Sequence, residues 1–206
     1  QPEENELWEV GAKWAFLDGR LGLTAALFRV DKSNARQTDP GTGDVVVTGE
    51  EQRVQGLELG LTGKLTSAWT IQAAYAYMDS EILRNPATAT VVENENKGNR
   101  VAFVPEHAVS VWTTVEISKL MHLGPGVTTV GAGVRWSDDI YANSANSSYI
   151  PGNFTFDAMV SYEKDGWRFA ANGYNLTDEL NYDASFGNRA VVAPGRTLMF
   201  TVGKKF

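Results

Sequence analysis

The 206 residues predict an all-β fold, an antiparallel transmembrane β-barrel segment of about nine long strands. Three observations predict it. Apolar and polar residues alternate with period two, which puts them on opposite faces of extended chain. Most alternating segments run to about ten residues or more, whereas strands of soluble proteins average about five or six and a tilted strand crossing a bilayer needs about nine to eleven. The connections alternate between tight turns and long polar stretches, the asymmetry expected of short periplasmic turns and long extracellular loops.

The elements follow in order. Segment 7–16 sets Trp8, Val10, Ala12, Trp14 and Phe16 against Glu9, Gly11, Lys13 and Ala15, and Leu17-Asp18-Gly19 turns it into 20–31. After a polar stretch at 32–51, segment 52–64 sets Leu57, Leu59 and Leu61 against Gly56, Glu58, Gly60 and Thr62. Thr66-Ser67 turns into 68–82, where Trp69, Ile71, Ala73, Tyr75 and Tyr77 oppose Thr70, Gln72, Ala74, Ala76 and Met78. A loop at 83–102 precedes a strand at 103–118; the longer turn Lys119–Gly126 leads to 127–138. A loop at 139–152, a strand at 153–163, the turn Asp165-Gly166 and a strand at 167–177 come next. The last loop, 178–194, precedes a final strand at 195–206.

Each strand has one apolar face with Trp or Tyr near its ends, as aromatic girdles at two lipid–water boundaries require. The opposite face is polar or small, as in a wet lumen; Gly11, Gly56, Gly60, Gly131 and Gly133 would relieve crowding there or aid bending. A soluble sandwich reverses the faces, and strand length with loop asymmetry argues against it. In the last strand Leu198, Phe200, Val202 and Phe206 share the lipid-facing parity, and the terminal aromatic resembles a barrel-assembly signal. Lys204 shares that parity and can snorkel to the boundary.

Composition excludes several classes. With no cysteine there are no disulfides, CxxC zinc sites or thiol catalysis. A formal charge of −7 argues against a nucleic-acid partner. No apolar run is long enough for a membrane-spanning helix, and Gln1 is not followed by a signal-peptide pattern. His107 and His122 have no second histidine at metal-ligand spacing, so no resident metal or covalently bound cofactor is expected. Asn146, Asn153 and Asn175 each match the glycosylation pattern, which carries little meaning in a bacterial envelope protein.

The order of short motifs resembles one family. The opening Pro2-Glu3, Glu9, Gly11, Lys13 and Trp14 is followed by Ala26-Leu27-Phe28 with Lys32 and Asn34, then by Gly49-Glu50 with Gly56, Glu58 and Gly60. Trp69 through Tyr77, Pro105 with His107, Trp112-Thr113-Thr114, Asn175-Leu176-Thr177-Asp178 and Pro194-Gly195-Arg196 complete the series. Together they resemble the C-terminal portion of a TonB-dependent outer-membrane receptor of the ferric-siderophore type, closest to the ferrichrome and catecholate subgroup. The resemblance implies location in the outer membrane of a Gram-negative bacterium and an iron(III)–siderophore complex as transported ligand. It also implies outer-membrane lipid as surroundings, and a barrel of about 22 strands closed around a plug. Residues 1–206 would then be a fragment of that barrel, with the N-terminal plug, the TonB-contacting box and the remaining strands outside it. An odd strand count cannot close as an antiparallel barrel, so the fragment is not expected to form a pore alone.

No catalytic residues are expected. Arg100, Tyr141, Tyr182 and Arg189 lie in loops at one predicted end, and such side chains suit an anionic, aromatic chelate by charge and stacking. Glu9, Lys13 and Glu58 face the predicted lumen; they could lie on a substrate path, but are expected to pair with each other, with neighbouring strands or with the plug. The alternatives are a receptor for another nutrient, or an outer-membrane barrel enzyme, for which His107 with Ser110 is the sole candidate pair.

Overall fold

A computed structural model describes residues 2–38, 45–87, 92–121, 124–186 and 189–205. Among the described residues nine strands form one antiparallel sheet. They are β1 (Glu4–Phe16), β2 (Leu21–Thr38), β3 (Val45–Lys64), β4 (Trp69–Arg84), β5 (His107–Glu116), β6 (Val127–Ser137), β9 (Asn153–Lys164), β10 (Trp167–Tyr174) and β13 (Thr197–Lys204), in the order β1-β2-β3-β4-β5-β6-β9-β10-β13. A short helix α1 (Ile117–Met121) lies between β5 and β6. Two small hairpins, β7 (Ile140–Tyr141) with β8 (Tyr149–Ile150) and β11 (Tyr182–Phe186) with β12 (Arg189–Val192), stand in the long loops. Among the described residues no helix is long and apolar enough to cross a membrane.

The registers turn the alternation into two surfaces. Trp14, Leu23, Leu61, Ala73, Val111, Val134 and Phe156 are cross-strand partners in one continuous apolar row. Lys13, Thr24, Gly60, Ala74, Ser110, Arg135 and Thr155 form the row on the other face, and from Thr24 onward it lines an open trough. The apolar side chains stay uncovered: Trp8, Leu27, Trp69, Phe169, Phe200 and Val202 are all exposed. A face of this extent needs lipid, since soluble monomers rarely leave contiguous apolar patches of more than a few hundred Å². Leu198, Phe200 and Val202 stand on it as expected, whereas Phe206 lies outside the described residues. Lys204 snorkels: its ammonium donates to Asp165 O at 2.9 Å and sits 4.8 Å from the Trp167 ring centroid.

Several boundaries differ from expectation. The stretch 32–51 is largely strand, because the β2–β3 ladder continues to the pair Thr38–Val45 through register shifts near Ala35. Backbone pairing carries it above the apolar band, where neither face needs to be apolar. Where the ladder leaves the band, on its outer side, Asp31 accepts from Arg29 Nε and Arg53 Nε, both at 2.7 Å. Partial burial raises the Asp31 carboxyl, but the two guanidiniums outweigh it and hold the group below the usual carboxylate range. β5 begins at His107 rather than 103: Phe103 is left-handed (φ 65°), and Pro105 has no N–H to give a ladder. At its other end α1 takes residues 117 and 118. β10 stops at Tyr174 because Asn175 turns left-handed (φ 47°), and β13 starts at Thr197 because Arg196 N donates to Asp178 Oδ1 at 2.9 Å.

Glycines on the inner face make room for one large ring. Trp112 lies inward on β5, across Gly131 and Gly133 of β6. A Cβ at 133 would meet the Val111 carbonyl oxygen and lie 2.5 Å from Trp112 Cε3. Gly133→Ala in the complete protein is therefore expected to lower stability by about 1–3 kcal/mol through overpacking. Gly203→Ala, with nothing near its added methyl, is expected to change it by much less. Denaturant midpoints in lipid vesicles compare the two.

Candidate functional site

The loops at the long-loop end are tied down by side chains that imitate backbone. Above β4, Ile82 N donates to Asn99 O and Gly98 N to Ile82 O, each at 2.9 Å, so segment 96–101 lies along the strand as a short extra rung. Asn146 then clamps Arg100: its Oδ1 accepts Arg100 N at 2.8 Å and its Nδ2 donates to Arg100 O at 2.9 Å. On the other side Asn153 exchanges the same pair of bonds with the backbone of Tyr182, both at 2.8 Å. Asn181 does so with Phe154, at 2.7 and 2.8 Å. A carboxamide carries the donor and acceptor of a peptide group, which is why asparagine serves here. All three asparagines of the glycosylation-like triplets bind backbone in this way, for Asn175 is buried and its amide brackets Glu179.

Asp157 joins the wall to the loop. It is almost buried on the inner face of β9; its Oδ1 accepts Asn175 N at 2.8 Å and its Oδ2 accepts Arg135 Nη2 at 3.1 Å. Arg135 also donates from Nε to Thr155 Oγ1 at 3.3 Å, yet most of its side chain stays open to the trough. The trough measures about 810 Å³ and is lined by Glu58, Ser110, Arg135, Tyr174, Tyr182 and Asp183, among others. A smaller cavity of about 340 Å³ adjoins it, sharing Ser137, Asn153, Tyr182 and Asp183 and reaching Phe103, Ile140 and Ile150.

The four expected ligand residues fall into three places. Arg100 and Tyr141 meet, with the guanidinium carbon 5.8 Å from the ring centroid. Arg100 is not a free cation, because Glu106 Oε2 lies 3.4 Å from its Nη1. Tyr182 lines both cavities, apart from that pair. Arg189 pairs with Phe186 through its backbone, and its side chain lies outside the described residues. Glu58 reaches the trough, and among the described residues no ion pair holds Glu9, Lys13 or Glu58.

Phe103 and Asp157 belong to this site although nothing in the sequence singles them out. Phe103 holds its left-handed backbone through a bond from its N–H to Tyr141 O at 2.9 Å, and its ring is half exposed in the smaller cavity. Such a conformation is costly for a bulky residue and persists only where surroundings enforce it. As for Asp157, a lone carboxylate on the inward parity of a strand gives no sign of which groups it will meet. His107 and Ser110 have opposite parities on β5, and His107 Nδ1 is 2.9 Å from the Tyr75 hydroxyl on the lipid side, so the enzyme-like pair is not formed. Among the described residues no three His, Cys, Asp or Glu side chains converge as a metal cage would need.

Comparison with known proteins agrees with this architecture. The profile of the family described as TonB dependent receptor-like, beta-barrel matches residues 1–176. The siderophore receptor PiuA of Acinetobacter baumannii is 36% identical over 212 aligned residues, covering 100% of this chain and 27% of that protein. The metal-pseudopaline receptor CntO of Pseudomonas aeruginosa is 32% identical, covering 98% of this chain and 27% of that protein. The crystal structure of PiuA superposes with a TM-score of 0.84 at 35% identity, covering all of this chain and 29% of that one. That of the ferric-catecholate import receptor Fiu of Escherichia coli K12, in its closed form, gives 0.76 at 27%, covering all of this chain and 28% of that one. The chain thus spans about a quarter of the length of the relatives it matches. With a matching family profile, a nine-stranded wall apolar on one side, and a trough on the other, the chain belongs to the TonB-dependent receptor family, as part of its β-barrel.

Proposed function

We propose that the whole protein is an outer-membrane receptor that takes up a ferric siderophore with energy delivered through TonB, and that residues 1–206 supply the C-terminal barrel wall and external loops around its plug. The observation that carries this is the end-to-end match of the chain to siderophore receptors, together with a vestibule, the smaller cavity that holds Phe103 and Tyr182, adjoining the lumen trough. Its chemistry is binding without a covalent step: a chelate docks from outside, and movement of the plug releases it inward. Arg100 with Tyr141, Tyr182 and Arg189 are the candidate ligand contacts; Leu198, Phe200, Val202 and Phe206 are the candidate assembly signal. The test is uptake of radiolabelled iron by a receptor-deficient strain carrying the complete gene, supplied with ferric catecholates and ferric hydroxamates in turn. Uptake dependent on both the receptor and TonB is expected. Uptake only of chelates of another metal would move the protein to the second reading, which its similarity to a metal-pseudopaline receptor motivates.

Phe103 adds a prediction. Phe103→Asn keeps a residue that tolerates the left-handed conformation and removes the ring. It is expected to leave stability unchanged or raise it by up to about 1 kcal/mol. Loss of the ring is expected to weaken binding of the transported chelate by about 1 kcal/mol, roughly fivefold. Binding isotherms on purified receptor alongside denaturant titrations separate the two effects.

A further inference from the structure

The connection between β5 and β6 differs from the other turns at its end of the sheet. Around Asp18, Ser67 and Asp165 the chain reverses tightly, whereas here it inserts α1 before returning at Val127. At about 100° per residue, Ile117, Leu120 and Met121 share one side of α1 and Lys119 points the opposite way. Lys119 Nζ is 2.7 Å from Glu116 Oε2, and Glu116 has the lumen-facing parity of Trp112 and Thr114. The apolar side is therefore turned away from the lumen; Leu120 is 61% exposed and Met121 67%.

The far end of the turn points the same way. The Tyr162 hydroxyl donates to Pro125 O at 2.8 Å, and a Cβ at Gly126 would lie 2.5 Å from the Tyr162 ring. Tyr162 belongs to the lipid-facing parity of β9, in the rim of aromatics with Trp69 and Trp167. Pro125 and Gly126 thus lie against that rim. Lys119 is neutralised by Glu116, so entering lipid would not strand its charge.

From these contacts we propose that the apolar side of α1 is a membrane-docking surface. Its occupant is inner-leaflet phospholipid of the outer membrane, into whose interface Leu120 and Met121 insert beside Tyr162. The inference rests on the outer-membrane reading above. A protein partner fits less well: two exposed side chains are far short of the roughly 1,200 Å² that a specific protein interface buries, whereas α1 directly joins β5 and β6, whose outer faces are committed to lipid.

The test uses the complete receptor in vesicles of phosphatidylethanolamine and phosphatidylglycerol, with a nitroxide on a single cysteine at 120, 121, 59 or 165. Folding is checked by resistance to unfolding in cold detergent, and collisions with oxygen and with a water-soluble nickel chelate are compared. Leu120→Cys and Met121→Cys are expected to favour oxygen several-fold over Asp165→Cys and to approach Leu59→Cys. Labels at 120 and 121 that meet the nickel chelate as freely as the one at 165, while the one at 59 does not, overturn the inference alone. Free access at 59 as well overturns the membrane reading beneath it. Shielding at 120 in whole cells that disappears in vesicles would assign the patch to a periplasmic protein and also overturn the inference.

Discussion

Leu59→Arg in the complete receptor is expected to cost about 2–4 kcal/mol of folding stability, because a guanidinium would stand on the lipid face near the bilayer midplane. Leu59 pairs with Ala25 and Tyr75, and its row continues through Val109, Trp136 and Phe154 without a charged side chain. On β3 it lies between the charged residues Arg53 and Lys64, at the centre of the apolar run Leu57, Leu59 and Leu61, so an arginine there has to reach past apolar neighbours to snorkel to either boundary. Thr62→Arg is the matched control. Thr62 pairs with Gly22 and Gln72 on the inner face, where a charge stays in water, and its cost is expected to be a small fraction of that at 59. Denaturant unfolding in lipid vesicles measures both, and equal penalties would mean that the two faces are assigned in reverse.

Asp157→Ala is expected to be the most damaging change on the inner wall, at about 2–4 kcal/mol. It removes a charge-assisted bond to Arg135 and leaves the Asn175 N–H without its acceptor. Because Asn175 begins the turn that leads to Asn181 and Tyr182, the loss should reach the vestibule. Hydrogen exchange is expected to rise at 175–182 while the β2–β3 ladder stays protected. Asp157→Asn, which can still accept from Asn175 N, is expected to recover the turn but not the full pairing with Arg135. If Asp157→Ala raised exchange evenly along the sheet, the carboxylate would be a general wall element and not the tie between wall and loop.

Much of this was legible in the residues. The nine wall strands and their faces follow from alternation, since lipid on one side and water on the other act on every strand separately. Leu57, Leu59 and Leu61 therefore announce the lipid face without knowledge of any partner. The signal fades where neither face must be apolar, and so the upper β2–β3 ladder at Lys32–Thr38 was not visible as strand. The ends of β10 and β13 escaped for a related reason. They are set by Asn175 and by the Arg196–Asp178 bond, which are tertiary accidents of the 175–196 loop.

The vestibule was legible only as composition. Arg and Tyr in the loops suggest a ligand, but Arg100 is matched with Glu106 six residues on and clamped by Asn146, 46 residues away. Tyr141 joins Arg100 while Tyr182 joins Asn153, and nothing in either local sequence distinguishes the two. By itself, then, the sequence determined a membrane-crossing β-wall, the lipid or lumen side of its residues within the apolar band, and the family. Tertiary structure alone decided which loop side chains meet, that Phe103 is held left-handed over the smaller cavity, and that Asp157 binds wall to loop. The physical reason is range. Side-chain alternation is a property of each strand against its solvent, whereas loop contacts depend on registers between residues far apart in the chain, which only the assembled ladder fixes.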